Sequence, residues 1–137
     1  MRRTDWQQLS TVRAREALSL LNAGEASGAY YLSGYVVECA LKACVSRQFQ
    51  QHVLPDKRIV MDSYTHDLDK LVRVAGLDQD LKKQSSQDGD FGVNWTLVKD
   101  WTEASRYEVW KLPQARDLYQ AVVDQRHGVL QWLKRHW

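Results

Sequence analysis

Residues 26–45 read ASGAYYLSGYVVECALKACV, and their pattern decides the fold. Ala29, Ser33, Val36, Val37, Ala40, Leu41 and Cys44 recur at i, i+3 and i+4, the repeat of one face of an α-helix. The small residues Ala26, Gly28, Ala29, Ser33, Gly34 and Ala40 let a neighbouring helix approach closely. A helix from Glu25 or Ser27 to about Gln51 is therefore expected as the central packing element. Glu38 and Lys42 interrupt the most apolar window, Ala29 to Val45, which argues for a buried core helix and against a membrane span. They stand at i and i+4 with the carboxylate on the N-terminal side, the favourable order for an intrahelical pair worth about 0.2–0.5 kcal/mol. With Tyr30, Tyr31 and Tyr35 they can line the rim of the core, a polar cleft or a subunit interface, where aromatic bodies with polar tips are common.

Outward from this stretch the periodicity stays helical. Thr4 or Asp5 can cap a first helix to about Asn22, with Trp6, Leu9, Ala17, Leu20 and Leu21 near one face and Gly24 ending it. From His52 to Tyr64 the pattern lapses, around Pro55 and Asp56, into an expected loop of about a dozen residues. Ser63 or Thr65 then caps a short helix, HDLDKLVRVAG, stopped at Gly76, and Leu77 to Ser86 forms another. SSQDGDFG, residues 85–92, has loop composition, and Asn94 is the expected cap of a helix through Trp101 to about Ser105. Pro113 opens a last long helix that continues to the end of the chain, with Ala115, Leu118, Tyr119, Val122, Val129 and Leu133 on one side. Three long helices and two or three short ones make an all-α antiparallel bundle in a single domain, residues 1–137.

Composition sets bounds. The chain has 137 residues, 44% hydrophobic and 26% charged, enough for one core without a metal or disulfide staple. Six Trp and six Tyr argue against disorder, and seven Gly with two Pro argue against a turn-rich sandwich or barrel. The net charge of +2 announces no polyanion partner, so any such contact has to be local. MRRTDWQQLS has no apolar run after its arginines, so a secretory signal is not expected and a cytoplasmic location is. Cys39 and Cys44, five residues apart, lie about 140° around a helix axis and are expected as two free core thiols.

The familiar constellations are missing. His52, His66, His127 and His136 form no HExxH pair and there is no CxxC, so zinc is not expected. Asp78 with Asp80, and Asp88 with Asp90, begin like calcium loops but lack the closing Glu, so no metal and no cofactor are expected. Neither GxxxxGK[ST], GxGxxG nor GxSxG occurs. The C-terminal run QRHGVLQWLKRHW gathers Arg126, His127, Lys134, Arg135 and His136 with Trp132 and Trp137; this suits single-stranded nucleic acid, and equally a helix C-terminus on dipole grounds.

GAYYLSGYVVECALKAC at 28–44, THDLDKL at 65–71 and WTEASRY at 101–107, in that order, resemble the HEPN domain family, with GYxVECxLKA as the most specific element. The resemblance covers about Asp5 to Tyr119. It implies an antiparallel helical bundle, usually a homodimer, often encoded beside a minimal nucleotidyltransferase in toxin–antitoxin or defence loci. Many members are metal-independent RNases whose site pairs an Arg with a His four to six residues further on; others lack the motif and are nucleotide-binding or accessory modules. The one literal match here is Arg47-Gln-Phe-Gln-Gln-His52, ahead of THDL, while no His follows Arg106 or Arg116 at that distance. Arg47 and His52 are therefore weak catalytic candidates. Arg106 and Tyr107 resemble the family's RY element, in which the Arg pairs with an internal carboxylate such as Glu38 or holds a phosphate and the Tyr stacks on a base. His66 joins Glu38, Lys42, Arg106 and Tyr107 as a candidate for nucleotide or RNA binding. The expectation is a dimeric HEPN-like protein that binds a nucleotide, RNA or a nucleotidyltransferase partner, without the standard RNase motif. The alternatives are a metal-independent endoribonuclease toxin with a degenerate site, or a purely structural dimerisation module.

Overall fold

A computed structural model describes residues 1–49 and 54–137 and, among these, contains helices and no strand. The elements in order are α1 (Arg3–Asn22), α2 (Ala26–Arg47), α3 (Lys57–Asp62), α4 (Leu68–Val74), α5 (Asp78–Gln87), α6 (Gly89–Lys99), a 3₁₀ turn (Glu103–Tyr107), α7 (Leu112–Val123) and α8 (Val129–Lys134). The all-α helical bundle expected from the sequence is the fold observed.

α2 is the hub. Twelve of its 22 residues are buried, and α1, α4, α7, α8 and the 3₁₀ turn all pack against it, α1 and α7 most extensively. Every residue of the stripe from Ala29 to Cys44 is buried as the spacing required. Buried side chains of α4, α6, α7 and α8, among them Leu68, Leu71, Phe91, Leu118, Trp132 and Leu133, complete one continuous core. Gly24 and Gly76 adopt φ of +79° and +71° and end their helices in the left-handed conformation that glycine takes without penalty.

Several boundaries differ from the sequence reading, and the reasons are local. α1 starts at Arg3, because Asp5 accepts a hydrogen bond from the backbone N of Arg2 at 2.9 Å and thus serves the first turn from inside it. α2 ends at Arg47, short of Gln51, where Gln48 Nε2 donates to Val74 O at 2.8 Å and ties the helix end to α4. Part of the expected loop is helical: Asp56 caps α3 by accepting from Arg58 N at 2.8 Å. His52 lies outside the described residues. Asp67, and not Ser63 or Thr65, caps α4 by accepting from Lys70 N at 3.0 Å.

The expected loop at 85–92 shrinks to the single residue Asp88, which caps α6 through Phe91 N at 3.1 Å. Asn94 lies inside α6, and its side-chain N–H donates to His127 O at 2.9 Å. α6 stops at Lys99, so Trp101 falls between elements and Glu103 to Tyr107 form a separate turn. The last long helix is also broken, leaving two long helices, α1 and α2, instead of three. Asp124 Oδ1 accepts from Arg126 N at 2.9 Å and His127 N at 2.7 Å, folding the chain into a turn. At Gly128 a Cβ would lie 2.3 Å from Asp124 O, so the turn admits only glycine there. The break re-aims α8 so that Trp132, 1% exposed, enters the core with its ring edge-on to Phe91 at 5.3 Å.

Trp101, 2% exposed, lies over the backbone of α2, where a Cβ added at Gly34 would come within 2.2 Å of the indole ring. Gly34 is what lets the segment carrying the 3₁₀ turn sit close to α2. Gly34→Ala is expected to cost about 1–3 kcal/mol by overpacking and to perturb Trp101 fluorescence. A urea-unfolding midpoint equal to that of the wild type would show that this contact does not constrain the fold.

A candidate polar site between α2, α4 and the 3₁₀ turn

Tyr31, Tyr35, Glu38 and Lys42 follow one another at i, i+4, i+7 and i+11 and share a face of α2. On that face Glu38 is only 1% exposed. A buried carboxylate is tolerated when it is paired and hydrogen-bonded. Two side chains do this: Lys42 Nζ donates to Glu38 Oε2 at 3.3 Å, and His66 Nδ1 lies 2.8 Å from Glu38 Oε1. Lys42 is itself largely covered and stands 5.2 Å from the centre of the Trp6 ring of α1. His66 is delivered by the lead into α4, where Thr65 Oγ1 accepts from Asp67 N at 3.2 Å.

The other face of the imidazole is also engaged, since His66 Nε2 is 2.7 Å from Glu103 Oε2. A neutral imidazole carries one N–H, so donation to both carboxylates at once requires the imidazolium. The second oxygen of Glu103 accepts from Arg106 Nη2 at 3.1 Å across one turn. Arg106 donates to the Tyr107 hydroxyl at 2.7 Å and stands 4.8 Å from the centre of that ring. The result is an unbroken polar chain, Lys42, Glu38, His66, Glu103, Arg106, Tyr107, running from a buried carboxylate to an aromatic ring that is 78% exposed.

Beside this chain opens a cleft of about 430 Å³, whose lining includes Thr65, His66, Asp69, Lys99, Trp101 and Glu103. Its volume falls in the range of small-molecule sites, roughly 300–1,000 Å³. Its charge is mostly acidic, with Asp67, Asp69 and Glu103 against Lys99 and His66. Glu103 forms a wall shared by the cleft and Arg106.

Nucleophilic and phenolic chemistry is poorly served. Burial pushes the Cys39 and Cys44 thiols up to about 12 each, so both stay protonated at neutral pH. They are free and buried, as expected. Tyr35 is likewise pushed up to about 12, by burial first and by neighbouring Cys39 and Glu38 next. Tyr31 stacks on Tyr35 at 6.0 Å and holds the aromatic side of the face in place.

The five residues read from the sequence as binding candidates, Glu38, Lys42, His66, Arg106 and Tyr107, thus belong to one network. Glu103 is the member that sequence reasoning missed. Its signal was present as the i, i+3 relation to Arg106 within WTEASRY, but only the fold brings it to His66. Arg47 is not part of the network: it is the exposed last residue of α2.

The C-terminal basic and aromatic run is divided, with Arg126, Lys134 and Arg135 exposed and Trp132 turned inward. Trp132 is buried and donates through Nε1 to Asp80 Oδ2 at 2.6 Å, and His136 Nε2 is 3.1 Å from the same oxygen. These two contacts join α8 and the residues just after it to α5. His127 does similar work: its Nδ1 lies 2.7 Å from Asp88 Oδ2, while the other Asp88 oxygen caps α6. Ligand atoms of Asp88, Asp90 and His127 lie within 4.8 Å of one another, and Asp88 Oδ2 and His127 Nδ1 are already hydrogen-bonded to each other.

Two predictions follow from these pairings. Glu38→Ala removes the partner of two side chains and is expected to cost about 2–3 kcal/mol, and His66→Ala about 1–2 kcal/mol because that ring is half-exposed. The double variant should cost less than the sum, since both changes delete the same bond; strict additivity in chemical denaturation would mean that His66 and Glu38 are not coupled. The second concerns pH. The hydrogen bond that His127 donates to Asp88, with Asp90 and Asp124 adding, holds His127 above its ordinary 6.5, and the same bond, with Phe91 N, holds Asp88 below 3.8. His127 therefore contributes stability that is full below pH 6.5 and lost as pH rises through its raised value, while the contribution of Asp88 is lost as pH falls through its lowered one. The melting temperature of His127→Ala should lie furthest below wild type between these limits and approach it above neutral pH. A constant gap across pH 5–9 would exclude the ion pair as its source.

Compared with protein-family models, curated proteins and solved structures, the chain matches none.

Proposed function

We propose that this chain is a HEPN-like module that binds a nucleotide in the cleft beside His66 and Glu103, as a homodimer in a toxin–antitoxin or defence-type system with a nucleotidyltransferase partner. The observation that carries the reading is the single network joining Glu38, Lys42, His66, Glu103, Arg106 and Tyr107. Arg106 supplies a planar guanidinium for a phosphate, and the exposed Tyr107 ring supplies a face for a base. The buried end of the network keeps His66 in a fixed orientation. Local charge favours a compact nucleotide over RNA, because an extended polyanion would run past Asp67 and Asp69.

One geometric feature supports a second reading, a metal-independent endoribonuclease. Glu38 engages His66 Nδ1, and Nε2 meets Glu103, which also pairs with Arg106, the arrangement of a carboxylate-oriented acid or base near a cation.

Thermal-shift titration with ATP, GTP and AMP separates these. Under the nucleotide reading at least one raises the wild-type melting temperature, a ligand at one hundred times its Kd adding about 2.7 kcal/mol, and Arg106→Ala loses most of the shift. No shift with any nucleotide would remove that reading. Cleavage of RNA in EDTA by the wild type, lost in His66→Ala, would put the endoribonuclease in its place.

A further inference from the structure

His66 Nε2 and Arg106 Nη2 converge on the two oxygens of one carboxylate, Glu103, at 2.7 and 3.1 Å. Two N–H groups that grip both oxygens of one planar anion make a receptor for an oxyanion, and phosphate and carboxylate present acceptor oxygens to such donors with much the same geometry. Here the receptor is filled from within the chain. Its occupant is poorly anchored otherwise: Glu103 opens the short 3₁₀ turn, its side chain is 29% exposed, and it lines the cleft. The donors have further partners of their own. His66 is fixed on its far side by the buried Glu38, and Arg106 by the Tyr107 hydroxyl.

We propose that Glu103 is a built-in plug, and that the group which displaces it is a phosphate carried by a small molecule. The inference rests on the nucleotide-binding reading above and adds how the site is gated. A phosphate monoester dianion has more charge and more acceptor oxygens than the carboxylate it replaces. Removal of Glu103 also opens the wall between the cleft and Arg106, so the guanidinium becomes reachable from the cleft. The charge balance shifts at the same step. With Glu103 in place, Lys42, Lys99 and Arg106 face four carboxylates, Glu38, Asp67, Asp69 and Glu103; with Glu103 turned out to solvent they face three. The plug therefore sets a threshold: weak anions do not open the site, and a phosphate that does so frees the 3₁₀ turn from α4.

The experiment is calorimetric titration of inorganic phosphate and AMP into wild type, Glu103→Ala, Glu103→Gln and Glu103→Ala/Arg106→Ala. The expected result is at least tenfold tighter binding of both probes to Glu103→Ala than to wild type, with the gain abolished in the double variant. Glu103→Gln keeps the side-chain size and should also bind more tightly, so it carries the test if the alanine variant fails to fold by circular dichroism. Nucleotide binding by the wild type that depends on Arg106 but is not strengthened by either Glu103 change would overturn the plug and leave the nucleotide reading standing. Absence of binding to every form would overturn both. Tight binding retained in the double variant would mean that the anion sits elsewhere.

Discussion

The carboxylate of Glu38 is the constraint on which the rest of the polar architecture depends. It sits in the middle of the most buried helix, where an unpaired charge would cost far more than the marginal stability of a domain this size allows. Lys42 answers from the next turn of the same helix, and His66 answers from a different element. The second answer shapes the fold, because it requires the start of α4 to lie against α2 at that level. His66 in turn reaches Glu103, so one buried charge ties α2, α4 and the 3₁₀ turn together.

A second constraint is steric and works alongside the first. Gly34 lies one turn N-terminal of Glu38 on α2, and the absence of its Cβ admits Trp101 against the helix backbone. Trp101 brings with it the following turn, and therefore Glu103 and Arg106. Tyr30 stacks on Trp110 at 3.7 Å, and Ser27 accepts from Trp110 N at 2.9 Å, holding the other end of the same segment to α2. The irregular stretch between α6 and α7 is thus pinned on both sides of Glu103 and Arg106. The buried indole N–H of Trp101 and the hydroxyl of Ser105 have no hydrogen-bond partner among the described residues, a cost that the packing of this segment has to offset.

Legibility in the sequence followed the range of the interactions. The α2 stripe, the glycine stops at Gly24 and Gly76, and the free thiols were readable because each depends on residues within a turn or two. The break between α7 and α8 was not, although Asp124 and Gly128 are both visible in the sequence. The apolar spacing runs on across it, and the advantage of breaking lies in bringing Trp132 against Phe91 and Asp80, which are distant in the chain. The same reason applies to the C-terminal run: composition cannot tell a Trp and a His that face solvent from a pair that shares one aspartate, as Trp132 and His136 share Asp80. Among the described residues no helix is long and apolar enough to cross a membrane, in line with the charges inside α2.

The sequence by itself determined the all-helical class, the central position of α2 and the Glu38 to Lys42 pair, because helical periodicity and i, i+4 pairing are properties of neighbours along the chain; His66, Arg106 and Tyr107 stood out only through the family resemblance. Only the tertiary structure decided that these residues meet, that Glu103 completes them, and that His66 faces two carboxylates at once. Contacts such as Glu38 to His66, 28 residues apart, exist only after the chain has folded back on itself. The physical reason is burial: the core selects which charges are enclosed, and an enclosed charge then selects its partners.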